Sequence, residues 1–337
     1  MIEEISLQVT GDSGALLRVP AWRIDGGRSG PRVHLQAGVH ADEIAGMLVL
    51  HQLLPRLREA AENGLLNGSV TLVPQANPFG IGQFRQGRIL GRNHEGSGRN
   101  FNRGFPASAK ATGTLDNLTD WQRQLAALAA PADIVLDLHT DDEALQYVYL
   151  HERFWPAGQD LAAALQAELA IIWEGDGDGA FEEVVIEPWL AEGRFDGRLV
   201  ATVELRGQGD VSDALAQQDA DGLWAFLCGR GVIEQHAKLP QWKGVAVPMG
   251  FMETVFAPVA GVLVFERELG EVVQAGERFA RIIARPGDAE SEVVLTAPQT
   301  GMLATRYRDR LIPRGSIAAK FTGSAPSSTW SSGALDP

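Results

Sequence analysis

Residues 33–54 read VHLQAGVHADEIAGMLVLHQLL, an apolar strand-like run that closes at GVH and a helix-like run that opens at EIAG. His40, Asp42 and Glu43 therefore crowd the turn between a strand and a helix. Such a connection needs little more than a glycine and a capping residue. A histidine with two acids asks for a further reason.

Outward from this turn the same grammar continues. Over residues 31–235 the chain alternates strand-like runs such as GSVTLVPQAN, DIVLDLHT and RLVATVEL with helix-like runs such as TDWQRQLAALAAPA and DALAQQDADGLWAFLCGRG. Short apolar runs separated by amphipathic ones predict an α/β fold, a mostly parallel sheet covered by helices on both faces. After HAKLPQW the pattern changes, and residues 245–323 read as short strands punctuated by Gly and Pro, a smaller C-terminal all-β unit of barrel or sandwich type. APVAGVL (257–263) and APQTGML (297–303) form a weak internal repeat. GEVVQAGERFARI between them resembles the turn of biotinyl or lipoyl carrier domains, without a carrier lysine. The expected division is 1–240, 241–323 and a Ser/Gly/Pro-rich tail, 324–337, with the composition of a disordered end.

Composition narrows the function. The 337 residues carry 43 acids against 29 bases, a net charge of -14, and no basic cluster, which argues against a partner made of nucleic acid or anionic membrane. No apolar run approaches about 18 residues, and the acidic start MIEEISLQVTGDSG lacks the features of a signal peptide. A cytoplasmic protein is expected. Cys228 is the single cysteine, so a metal in this chain must be held by histidines and carboxylates. Nothing in the chain sets its oligomeric state, and a homo-oligomer is left open.

His40 and Glu43 form an H-x-x-E pattern at the turn, in which residues three apart can converge on one ion. Alone the pattern is weak, because an acid in a first helical turn commonly faces the helix dipole. A third ligand is offered by ADIVLDLHTDD, where an apolar strand runs into His139 at the sheet edge at which α/β proteins bind ligands. Strand alternation puts Asp137 on the same face as His139, placed to receive an imidazole N–H. Three ligands and an open fourth position are the arrangement of a catalytic zinc. The other histidines, His34, His51, His94, His151 and His236, read as core or surface residues.

Between the two histidines lies a long irregular segment, residues 77–106, carrying Arg85, Arg88, Arg92, Arg99 and Arg103 with Asn77, Asn100 and Asn102. Loops of this length are commonly functional, and guanidinium forks suit a substrate carboxylate.

H-x-x-E, then NP, then the Asn-Arg pair in NFNRGFP, then DLHT, in this order and at these distances, resemble the succinylglutamate desuccinylase and aspartoacylase family, relatives of the zinc carboxypeptidases. The resemblance covers residues 31–210 and extends to the β-rich C-terminal unit. It implies a carboxypeptidase-like catalytic unit in which one zinc ion per chain is bound by residues matching His40, Glu43 and His139. It implies substrate binding by Asn102 and Arg103, and a carbonyl-polarising arginine upstream, for which Arg92 is first choice and Arg88 second. The family's catalytic glutamate matches Glu204 in VATVELRG, where Val200, Thr202 and Glu204 share one face of the strand. Without the resemblance, Glu204 reads as a strand-end acid paired with Arg206.

The implied reaction is hydrolysis of a small, anionic N-acyl amino acid. Zinc activates a water, Glu204 takes its proton and hands it to the leaving amine, and zinc and arginine stabilise the oxyanion. Two alternatives stay open: a metallocarboxypeptidase for short peptides, and a non-catalytic zinc-binding protein of the same fold.

Overall fold

The computed structural model describes residues 1–106, 116–175, 177–328 and 335. Nine strands form its large sheet: β1 (Ile2–Thr10), β2 (Leu16–Asp25), β3 (Arg32–Ala37), β4 (Ser69–Val73), β5 (Ile134–Asp141), β6 (Tyr147–His151), β7 (Leu169–Trp173), β8 (Leu199–Gly207) and β9 (Val245–Pro248). Their order is β1-β2-β4-β3-β5-β8-β6-β7-β9. The central strands β4, β3, β5 and β8 run parallel, while β1, β2 and β6 pair antiparallel with their neighbours β2, β4 and β8. The result is a mixed α/β sheet with parallel strands at its centre, as the apolar runs predict.

The helices are α1 (Ala45–Glu62), α2 (Asn117–Ala129), α3 (Gln159–Leu165), α4 (Phe181–Glu192) and α5 (Asp213–Gly229). On α1, Val49, Leu50, Leu53 and Leu57 are buried, a stripe at helical spacing that faces the sheet. Gly46 lies in this stripe: a Cβ there would come within 2.9 Å of the Cβ atoms of Leu138 and Ala37. Its missing side chain lets α1 press onto β3 and β5. The opposite face of the same strands meets α4, whose Phe181 ring lies 6.1 Å from that of His34. Because side chains alternate along a strand, Asp137, His139, Thr202 and Glu204 also face that side.

His34 is fully buried, one ring nitrogen 2.9 Å from Gln36. Burial lowers its pKa to about 4. The folded state therefore binds this proton less readily than the unfolded chain, whose imidazole titrates near its ordinary value of about 6.5. Stability from the neutral ring is fully present above pH 6.5 and is lost as pH falls toward 4, by about 3 kcal/mol across the window. Urea unfolding of metal-free protein at pH 7.5 and 4.5 should show this loss in the parent and a smaller one in His34→Leu. An equal acid loss in both would assign the effect to other groups.

Three features were not legible in the sequence. The β1–β2 hairpin escaped notice because its residues are half-exposed and alternate weakly. DLAAALQAELAIIW splits into α3 and β7 at Gln166, which adopts the left-handed conformation. The expected boundary at 240/241 is also corrected in part, since β9 pairs in parallel with β7 and belongs to the large sheet. A four-residue edge strand carries no pattern that separates it from the first strand of an all-β unit.

Residues 253–321 build two small sheets. One has the order 253–256, 317–321, 301–306, 272–273, and the other 292–296, 278–283, 261–265, 311–312. Each therefore takes two strands from each half of the segment, and the repeated APVAGVL and APQTGML motifs occupy equivalent places in the two. Glu143–Ala144 of the large unit pairs with Thr305–Arg306 and fastens the two parts together. Of the tail expected to be disordered, residues 324–328 are instead tied down. The N–H groups of Ser324 and Ala325 donate to Gln299 Oε1, and that of Ser327 donates to the Gly250 carbonyl. The remainder of that expectation, apart from buried Leu335, falls outside the described residues. No described helix is long and apolar enough to cross a membrane.

Candidate metal centre and active site

The turn after β3 holds its acids for something other than helix capping. α1 starts at Ala45 without a side-chain cap, and Glu43 points back toward the sheet. Its Oε1 lies 2.9 Å from His40 Nδ1, and its Oε2 lies 2.8 Å from His139 Nδ1 and accepts the Thr140 N–H at 3.0 Å. One ligand atom from each of these three buried residues falls within 4.8 Å of the others.

The protons on the rings follow from their outer partners. Asn100 Oδ1 accepts the backbone N–H of Asn102 at 2.9 Å, so it is the oxygen, and His40 Nε2 at 2.8 Å must donate to it. His139 Nε2 likewise donates to Asp137 Oδ2 at 3.0 Å. Both rings thus turn their Nδ1 lone pairs on the Glu43 carboxylate, an arrangement that repels unless a cation stands among the three. Without a metal the cation is a proton. Burial would lower the His139 pKa, but Asp137 and Glu43 outweigh it and raise it well above the ordinary value. Burial would likewise raise Glu43, but His40 and His139 hold it well below the usual carboxylate range. The donor set, the fixed tautomers and the unbalanced lone pairs fit a divalent cation with nitrogen and oxygen ligands.

These residues open onto a cavity of about 1150 Å³, walled by Tyr149 and Trp173 of the large sheet together with Tyr307 and Lys320 of the β-rich C-terminal part. Glu204 stands in it directly across from His139 in the β5–β8 pairing. Burial first, and the charge of Glu43 next, raise its pKa well above the ordinary value. Arg206 is not its partner, because that guanidinium pairs with Asp219. Thr140 Oγ1, Thr202 Oγ1, Asp42 Oδ1, Glu182 Oε2 and Glu204 Oε2 are buried and make no hydrogen bond to described residues. Unpaired polar atoms are costly to bury. Their concentration in this cavity's walls suits a site completed by a ligand.

The arginine-rich loop is anchored on the turn that carries His40 and Glu43. Gly91 passes so close to Asp42 that a Cβ would sit 2.0 Å from the Asp42 nitrogen, and the Ala41 N–H donates to the Gly91 carbonyl at 2.9 Å. This contact carries Arg92 to the cavity, 3.7 Å from Glu43 Oε1. Arg103 also reaches the cavity, its Nε 2.7 Å from Asp178. Neighbouring Asn102 accepts the Phe181 N–H at 2.9 Å, which leaves its Nδ2 for a ligand.

Arg88 is a correction. It lies exposed on the hairpin 84–89, outside the cavity wall, because the tight turn at Gln86 and Gly87 carries it away. Arg85 and Arg99 are engaged by Glu95 and Asp116. Of the five arginines in this loop, Arg92 and Arg103 alone line the cavity, and around the whole cavity carboxylates outnumber Arg and Lys two to one.

Three residues of the site were missed. Asn100 was read only as part of the loop. Glu182 lay in a helix start not read from the sequence. Lys320, 2% exposed with its Nζ 2.8 Å from Asp141, interrupts the apolar strand IAAKF, and that interruption was the available signal.

Residues 29–229 match the family profile of the succinylglutamate desuccinylase/aspartoacylase catalytic domain. Among curated proteins, the N-alpha-acetyl-L-2,4-diaminobutyric acid deacetylase of Halomonas elongata is 25% identical over 312 residues, covering 90% of this chain and 85% of its own. A Shewanella frigidimarina NCIMB 400 protein assigned as a succinylglutamate desuccinylase/aspartoacylase superposes with a TM-score of 0.83 at 25% identity over 96% of this chain and 98% of its own. The ectoine utilization protein EutE (DoeB) of Ruegeria pomeroyi shares the fold, with a TM-score of 0.74 at 23% identity over 95% and 94% of the two chains. The profile spans more than half of the chain, and the chain belongs to the succinylglutamate desuccinylase/aspartoacylase family.

Proposed function

We propose that the chain hydrolyses the amide of a small N-acyl amino acid, releasing a short acyl group, with one zinc ion per chain held by His40, Glu43 and His139. The observation that carries this reading is convergence in one cavity: a histidine–carboxylate donor set, an unpaired buried glutamate and two arginines. The deacetylase activity of the Halomonas relative supports it. The same reading takes residues 1–240 as a carboxypeptidase-like catalytic unit, with the β-rich remainder closing the cavity. It places the protein in a reducing cytoplasm, which suits Cys228 as its only cysteine.

Zinc held there would supply Lewis acidity, making a water nucleophilic near neutral pH and polarising the acyl carbonyl. Glu204 Oε2 accepts the proton of the attacking water and returns it to the leaving amine. Its burial beside Glu43 keeps its proton affinity high enough for both transfers. Arg92 donates to the carbonyl oxygen as negative charge develops. Arg103 and Asn102 Nδ2 hold the substrate's α-carboxylate, and Asp178 keeps the Arg103 guanidinium in place.

Arg103→Ala should raise KM by roughly 10- to 100-fold through loss of a charge-assisted contact, with a smaller change in kcat. Arg92→Ala should lower kcat more than it raises KM. Steady-state kinetics on an N-acetyl amino acid separate the two roles, and interchanged effects would reverse the assignments.

A cavity of this volume exceeds what a small N-acyl amino acid fills, which keeps short-peptide carboxypeptidase activity as the second reading. A panel of N-acetyl, N-succinyl and N-formyl amino acids against dipeptides decides. Turnover of the dipeptides alone would replace the deacylase reading.

A further inference from the structure

We propose, resting on the deacylase reading, that Glu182 is a specificity residue that binds a cationic group on the side chain of the substrate's amino acid, so that preferred substrates are N-acyl diamino acids.

Glu182 sits in the first turn of α4, on the sheet face to which Asp137, His139 and Glu204 also turn, and it lines the cavity. Its Oε2 is buried and receives no hydrogen bond from the described residues, and no described cation pairs with it. Of the five basic side chains in the wall, four face another acid, Arg92 facing Glu43, Arg103 Asp178, Arg306 Glu143 and Lys320 Asp141, and the fifth, Arg308, donates to Gln208. Helix capping does not explain Glu182. That duty falls to neighbouring Glu183, whose Oε2 accepts the N–H groups of Gly179 and Ala180 at 2.7 and 2.8 Å.

Burial and the charge of Glu183 push its pKa up to about 7, the mark of a carboxylate placed without its counter-charge. A bound ammonium would supply that charge and satisfy the orphaned oxygen together. Position sets the length of the ligand. Phe181, the residue before Glu182, gives its N–H to Asn102, which adjoins Arg103, so the carboxylate anchor and Glu182 are near neighbours. A short side chain ending in an amine spans them, its α-carboxylate toward Arg103 and its ammonium toward Glu182. This also accounts for the excess of carboxylates in a cavity expected to receive an anion.

The test compares kcat/KM of the metal-loaded parent and Glu182→Gln on Nα-acetyl-2,4-diaminobutyrate and Nα-acetylornithine against the neutral Nα-acetylnorvaline and the acidic Nα-acetylglutamate. The parent should favour the diamino acids over norvaline by about 30-fold, and the variant should bring that ratio to within about 3-fold of unity. A parent without preference, a preference that survives in the variant, or an equal loss on every substrate would overturn the proposal. Hydrolysis of none of the panel would instead defeat the deacylase reading. Calorimetric titration of free ornithine and norvaline into both proteins then decides Glu182 on its own: tighter binding of ornithine, abolished in the variant, sustains the proposal, and equal binding removes it.

Discussion

His139→Ala will lose stoichiometric metal and measurable turnover together. In the parent, His139 Nδ1 turns on Glu43 while Nε2 is fixed by Asp137, so the substitution removes one donor of three and leaves a buried carboxylate unpaired. Loss of a ligand that is itself oriented by a hydrogen-bonded carboxylate exceeds the 10- to 100-fold penalty typical of mutating the outer partner alone. The fold should persist, because His139 lies near the carboxyl end of β5 and the hydrophobic core is held by residues such as Leu136, Leu138 and Val203. Metal analysis beside far-UV circular dichroism checks both halves. Full metal occupancy in a folded variant would sink the ligand assignment.

Glu204→Gln should retain the metal and lower kcat by roughly a hundredfold or more, because the amide keeps the shape of the carboxylate but accepts no proton. KM should change far less. Metal loss in this variant would make Glu204 a ligand, and near-parent turnover would pass the base role to another group, Glu182 being next in the same cavity.

The metal turn was legible because a polar cluster at a strand-to-helix junction conflicts with what the junction requires locally. Asp137 followed from strand alternation, and the buried apolar runs announced the central parallel strands. Distance along the chain hid the rest. Whether Arg88 or Arg92 reaches the site depends on where Gly91 touches Asp42, a contact between residues 49 apart in sequence that no local pattern encodes. Glu182 looks in sequence like any acid at the start of a helix, and only its unpaired Oε2 among the described residues sets it apart. Lys320 acquires its place from a pairing with Asp141 across 179 residues.

The interleaved strands of residues 253–321 carry a consequence for biosynthesis. The strand bearing Lys320, residues 317–321, is an inner strand of a sheet whose other members precede it. The candidate donors His40, Glu43 and His139 are all translated by residue 139, yet one wall of the cavity waits for residue 320. A nascent or prematurely terminated chain would carry all three donors and still lack the wall that Lys320 helps to form. On the proposed deacylase reading, turnover should require synthesis through this last strand, and a nonsense mutation in the small sheets should be as silencing as one beside His139.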